Sequence, residues 1–127
     1  MTFLVFLAYY FIMPFEKLLK DLVEKIDAKG AILLDWEGES VVHYGTIDEY
    51  DLKVLGAYQV IILNHFKNVR NRDNIKYFQM KFSDSVIQFL PINNDYYVFL
   101  FFQNKESAPR AFHNLQQVVD VFAREIA

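Results

Sequence analysis

The chain contains no cysteine, which excludes disulfides, thiol nucleophiles and cysteine-ligated zinc together. It fits a reducing compartment, and a cytoplasmic location is the expectation. Glycine is scarce, with 4 residues in 127. They are scattered, and neither G-x-x-x-x-G-K-[ST] nor G-x-G-x-x-G occurs, so no phosphate-cradling loop is present. An excess of basic charge is also missing: 13 Lys and Arg against 16 Asp and Glu leave a net charge of −3, and the long-range field does not favour nucleic acid. His43, His65 and His113 fall on three separate predicted elements without metal-ligand spacing. Lone histidines of this kind are far more often surface or core residues than ligands.

A hydrophobic run long enough to span a membrane is lacking too. Met1 to Ile12, "MTFLVFLAYYFI", covers as a helix roughly 20 Å at ~1.5 Å per residue, short of a ~30 Å hydrocarbon core. It has no Lys or Arg ahead of it and no small-residue cleavage site behind it, both of which a signal peptide needs. "MPFEKLLKDLVEKI" follows and reads as a natural start at Met13. Residues 1–12 are therefore read as a start-site artefact or a tail, and residues 13–127 as the domain.

What remains is rich in oil. Apolar residues make up 54% of the chain and aromatics 17%, which excludes disorder. The length suits one domain able to bury a core without disulfides or metals. From Pro14 to Asp27, Phe15, Leu18, Leu19, Leu22, Val23 and Ile26 follow helical spacing opposite a charged face, with Pro14 in the first turn. "KGAILLDWEGESVVHYG" predicts a hairpin: strand Ala31 to Trp36, turn 37–39, and a second strand Ser40 to Tyr44 that sits at an edge. The first strand is apolar on both faces, which places it inside a sheet covered on both sides.

Asp48 opens a second helix running to about Lys67. Three strands follow, at Asn74–Ser83, Ser85–Ile92 and Tyr96–Gln103, and the last, "YYVFLFFQ", is again apolar on both faces and central. A final helix, with Ser107 as N-cap and Pro109 in its first turn, runs to about Ile126 and buries Ala111, Leu115, Val118, Val119, Phe122 and Ile126. The order is helix, two strands, helix, three strands, helix.

The second helix is anomalous. On a wheel of about 100° per residue, Tyr50, Val54 and Ile61 form one apolar line, Leu55, Tyr58 and Ile62 a second, and Leu52, Leu63 and Phe66 a third. The arc is roughly twice the ~100° stripe that one sheet can cover. The neighbouring strand, with Ile75, Tyr77, Phe78, Met80 and Phe82, is an apolar edge that needs a cover. A twofold dimer that pairs this strand with its mate and packs the two helices together resolves both demands. Its expected interface is Leu55, Tyr58, Gln59, Ile62, Phe66, Ile75, Tyr77, Phe78, Gln79 and Met80.

Three local features have a chemical reading beside a bland one. Asp35, Glu37 and Glu39 flank the hairpin tip, and could serve acid–base work, but turns are rich in acids. Arg70 and Arg72 in "NVRNRDN" could grip phosphate, against the simpler reading of a solvated loop. "YYVFLFF" could stack on bases, but helices on both faces of the sheet make it core. No catalytic residue, cofactor or metal is predicted.

The element order and the segment "LVEKIDAKGAILLDWEGESVVHYG" resemble the roadblock family of dynein light chain-like proteins, in its bacterial and archaeal branch. The resemblance covers residues 14–126. It implies an α+β domain whose five-stranded antiparallel sheet, ordered 2-1-5-4-3, lies between helices, as in profilin-like folds. It also implies a homodimer formed through the second helix and third strand, and a non-catalytic module that partners a small Ras-like GTPase and modulates its hydrolysis. Lys53, Asn64 and Lys67 are then the candidate partner contacts. The alternative is a dimeric scaffold without a GTPase partner, tethered to a membrane through residues 1–12.

Overall fold

The computed structural model describes residues 3–69 and 75–126, with side chains from 14 to 68 and from 75 to 126. The elements are α1 (Phe3–Ile26), β1 (Gly30–Asp35), β2 (Ser40–Gly45), α2 (Glu49–Val69), β3 (Phe78–Lys81), β4 (Val86–Pro91), β5 (Tyr96–Phe102) and α3 (Ala108–Ile126), with a 3-10 turn at Lys105–Ser107 leading into α3. The strands form one antiparallel sheet in the order β2-β1-β5-β4-β3, the order expected from sequence.

Alternation along the strands divides the core into two layers. Ala31 and Leu33 of β1, with Val98, Leu100 and Phe102 of β5, face α1 and α3. Ile32 and Leu34, with Tyr97 and Phe99, face α2. Burial on both faces explains why these two strands read as nearly continuous apolar runs. On the α1–α3 side, Phe15 and Phe122 meet edge to face at 5.0 Å. On the other side α2 presses close to β1 at Gly56, where an added Cβ would lie 3.0 Å from Leu34 Cδ1. The hairpin tip is tied by Asp35, whose Oδ1 accepts the N–H groups of Glu37 and Glu39 at 2.9 and 3.0 Å. Gly38 at φ 86° supplies the left-handed residue this turn requires.

Several expectations need correction. Helix α1 does not begin at Pro14 but extends back to Phe3, with Pro14 inside it. Interior proline withdraws one N–H from the ladder at a cost of about 3 kcal/mol, which is why its presence suggested a start. Trp36 lies beyond β1 and is 55% exposed. Strand β3 is four residues long, so Phe82 falls outside it and is exposed rather than aligned with Phe78 and Met80. The cap at the start of the last helical segment is Asn104, whose Oδ1 accepts the Glu106 N–H at 3.1 Å. Val118 and Ile126 are half-buried, unlike the other residues expected in the α3 core. Among the described residues, no helix is long and apolar enough to cross a membrane.

Candidate interaction surface

The N-cap Asp48 accepts the Asp51 N–H at 3.2 Å and starts α2 in a fixed orientation on the sheet. One stripe of the helix, Leu52, Gly56, Gln59, Val60 and Leu63, is buried. That stripe uses up the area one sheet face offers, and the remaining apolar residues have nowhere to go. Tyr50 is 73% exposed, Tyr58 59%, Ile61 50% and Phe66 53%. With half-buried Val54, Leu55 and Ile62 between them, they form an outward arc of roughly 160° at about 100° per residue, interrupted by Asp51 and His65. An apolar patch of this continuity on a small domain marks an interaction site.

Strand β3 adjoins the same side. It pairs with β4 alone, leaving its other edge without a strand partner among the described residues. Phe78 and Met80 lie half-buried on the α2 side with Ile75, and the Phe78 ring packs on Phe89 at 5.2 Å. Tyr77 and Gln79 point to the opposite face. The Tyr77 ring lies 4.3 Å from Phe112 of α3, and its hydroxyl donates to Gln79 Oε1 at 2.9 Å. Burial of the Tyr77 phenol raises its pKa above the ordinary value of 10.0.

Of the ten residues expected at a dimer interface, Leu55, Tyr58, Ile62 and Phe66 lie along the outer arc of α2, and Ile75, Phe78 and Met80 beside it at the sheet edge. Tyr77 and Gln79 sit on the other face of β3. Gln59 is a correction: it is 4% exposed and faces the sheet, with its Oε1 unpaired. Its phase on the helix matches Leu52, Val60 and Leu63, which turn toward the sheet and not toward a partner. Tyr50 and Ile61, absent from that expectation, are among the most exposed large apolar residues of the arc. The wheel that put them on one line with Val54 carried the signal.

The three expected partner contacts do not converge. Lys53 and Lys67 stand at opposite ends of α2, separated by roughly 20 Å at ~1.5 Å per residue. Lys53 is paired with Glu49 at 2.9 Å, and His43 approaches the same carboxylate at 3.5 Å. The hydrogen bond and charge of Lys53, then the charge of His43, hold the Glu49 carboxyl below its usual 4.5. Lys67 donates to the Tyr97 hydroxyl at 2.8 Å and lies over that ring at 5.2 Å, so it anchors the helix to β5. Asn64 is exposed.

The remaining sequence features are placed as follows. Asp35 ties its turn, as described. His113 contacts Gln117 at 3.4 Å one turn along α3, and His65 is exposed. The aromatic strand is interior on both faces. Arg70 and Arg72 lie outside the described residues.

No family model matches the chain, and no curated protein matches it. Its fold, however, is that of solved roadblock/LC7 domains. MglB from Myxococcus xanthus superposes with a TM-score of 0.77 at 11% identity, over 88% of this chain and 94% of that one. A second MglB structure, described with a tetrameric arrangement, gives 0.78 at 11% identity over 88% and 87%. A roadblock/LC7 domain from Streptomyces avermitilis gives 0.76 at 12% identity over 87% and 96%.

Proposed function

We propose that the chain is a non-catalytic, homodimeric regulatory module that binds a small Ras-like GTPase and modulates its nucleotide hydrolysis. The observation that carries this reading is the outward arc of α2 around Tyr50, Tyr58, Ile61 and Phe66, all at least half exposed, beside the unpaired edge of β3. A symmetric dimer covers both at once. Burying four such side chains is worth roughly 3–6 kcal/mol per protomer, taking half of ~1.5–3 kcal/mol for each. Doubled by symmetry, this compares with an association cost of ~4–15 kcal/mol. The likeness to MglB structures, one of them tetrameric, supports self-association and a role of the kind the roadblock resemblance implies. Two joined α2 helices form a broad platform, and Lys53 and Asn64 on its flank are the contacts offered to a GTPase. Lys67 acts there by fixing the helix to Tyr97.

The test is retention of Ras-like GTPases from the same genome, loaded with GDP or a GTP analogue, on the immobilised chain. Nucleotide-dependent retention is expected, and its absence across the set refutes the GTPase role while leaving the dimer standing. The second reading, a scaffold tethered to a membrane, is favoured by one observation: α1 runs unbroken from Phe3, and no charged residue precedes Glu16. Co-sedimentation with lipid vesicles, lost on deleting residues 1–12, supports it.

A further inference from the structure

A second feature lies on the α1–α3 side of the sheet, where pairing through α2 leaves it open. The end of α1, the start of β1 and the turn into α3 enclose a hollow of about 460 Å³ whose lining is mostly polar and includes Lys25, Lys29 and Arg110. The backbone fixes the roots of all three cations. Helix α1 closes with Asp27 in the left-handed region at φ 53° and with the Ala28 N–H donating to the Val23 carbonyl at 2.9 Å. The Lys29 N–H donates to the Phe101 carbonyl at 2.8 Å. Arg110 Nη2 donates to the Lys25 carbonyl at 2.8 Å, tying the end of α1 to the start of α3.

The charge at this hollow is not balanced from within. In a chain with more acids than bases, the lining sets three cations against a single carboxylate, Asp27. Among the described residues, none of the three is in an ion pair. Gathering like charges raises the energy of the folded state unless an anion neutralises them. The neutral groups there suit an oxyanion: the Ser107 hydroxyl, and Asn104, whose carbonyl oxygen is already engaged by Glu106, leaving its amide N–H groups to donate. A guanidinium and two lysines in one lining are the residue types that bind phosphate. Among the described residues, no aromatic ring lines the hollow to stack on a nucleobase.

We propose that this hollow binds the phosphate group of a small soluble molecule, with Lys25, Lys29 and Arg110 as its ligands. The test is an NMR titration of the full chain with inorganic pyrophosphate at constant ionic strength. Saturable shifts are expected at the backbone amides of Lys25, Lys29, Ser107 and Arg110, with none at Lys81. The double variant Lys25→Gln/Lys29→Gln should bind at least tenfold more weakly while its core resonances stay in place. Arg110 is left intact because it joins the two helices. Three results overturn the proposal: no saturable shift, the same shifts produced by sodium chloride alone, or unchanged affinity in the double variant. None of these outcomes depends on the oligomeric state or on a GTPase partner.

Discussion

Ile61→Asp is the substitution that weighs most on the proposed dimer and least on the protomer. Ile61 sits midway along α2, toward one side of its outer arc, 50% exposed, so covering it removes about half of a full isoleucine burial, or roughly 1 kcal/mol. Twofold symmetry counts the loss twice. Two carboxylates, one from each protomer, would also be carried into an apolar contact, at an effective cost of several kcal/mol unless they take up protons. Together these terms are on the order of 4–6 kcal/mol, or three to four powers of ten in the dissociation constant at ~1.4 kcal/mol per tenfold. In the isolated protomer the new side chain meets water, and a change within about 0.5 kcal/mol is expected there. Leu63→Asp, two residues along but 1% exposed, should by contrast unfold the chain. Light scattering coupled to size exclusion, over a concentration series, reads the outcome: a dimer for the native chain, a monomer with an unchanged circular dichroism spectrum for Ile61→Asp. The reasoning is refuted if the native chain stays a monomer at high concentration, or if the variant dimerises as tightly.

Three further outcomes follow from the geometry. Gly56→Val brings a branched side chain against Leu34 and Ile32, whose nearest atoms lie 3.0–3.3 Å from an added Cβ; a loss of ~1–3 kcal/mol is expected in urea unfolding, and an unchanged midpoint contradicts the close approach. Gln59→Leu removes a buried oxygen that has no partner and should raise stability by ~1–3 kcal/mol without altering self-association; a destabilised variant would mean that the oxygen is satisfied in solution. The Glu49 carboxyl, held below 4.5 chiefly by Lys53, contributes stability that is present above 4.5 and lost as pH falls through its lowered folded value; NMR titration should show that midpoint, and Lys53→Met should move it up.

Much of the fold is legible in the residues because one rule, alternation, governs it. A strand apolar on both faces has to be interior: β1 and β5 show this in their residues, and β4, buried on both faces around Gln88, completes the inner three. The outer arc of α2 is legible for a related reason: the number of large side chains on the helix exceeds what one sheet face can hide. What escapes is decided by contacts between distant residues. The inward turn of Gln59 depends on its phase against β1, not on its polarity. The tie between Lys67 and Tyr97 joins residues far apart in sequence. Pro14 misleads because a helix interior seldom tolerates it. Residues that come to line one hollow only through the fold, as Lys25 and Lys29 do with Arg110, leave no pattern along the chain.

The neighbours at the centre of the sheet are strangers in sequence. Leu33 faces Val98, so a ribosome that has just released the first hairpin at Gly45 must add about 57 more residues before β5 has emerged to Phe102, roughly 3–11 s at ~5–20 residues per second. Throughout that wait the hairpin shows a bare, greasy flank. A nascent chain halted before Phe102 should therefore be a client for chaperones, and the last strand to leave the tunnel closes the middle of the sheet rather than its rim.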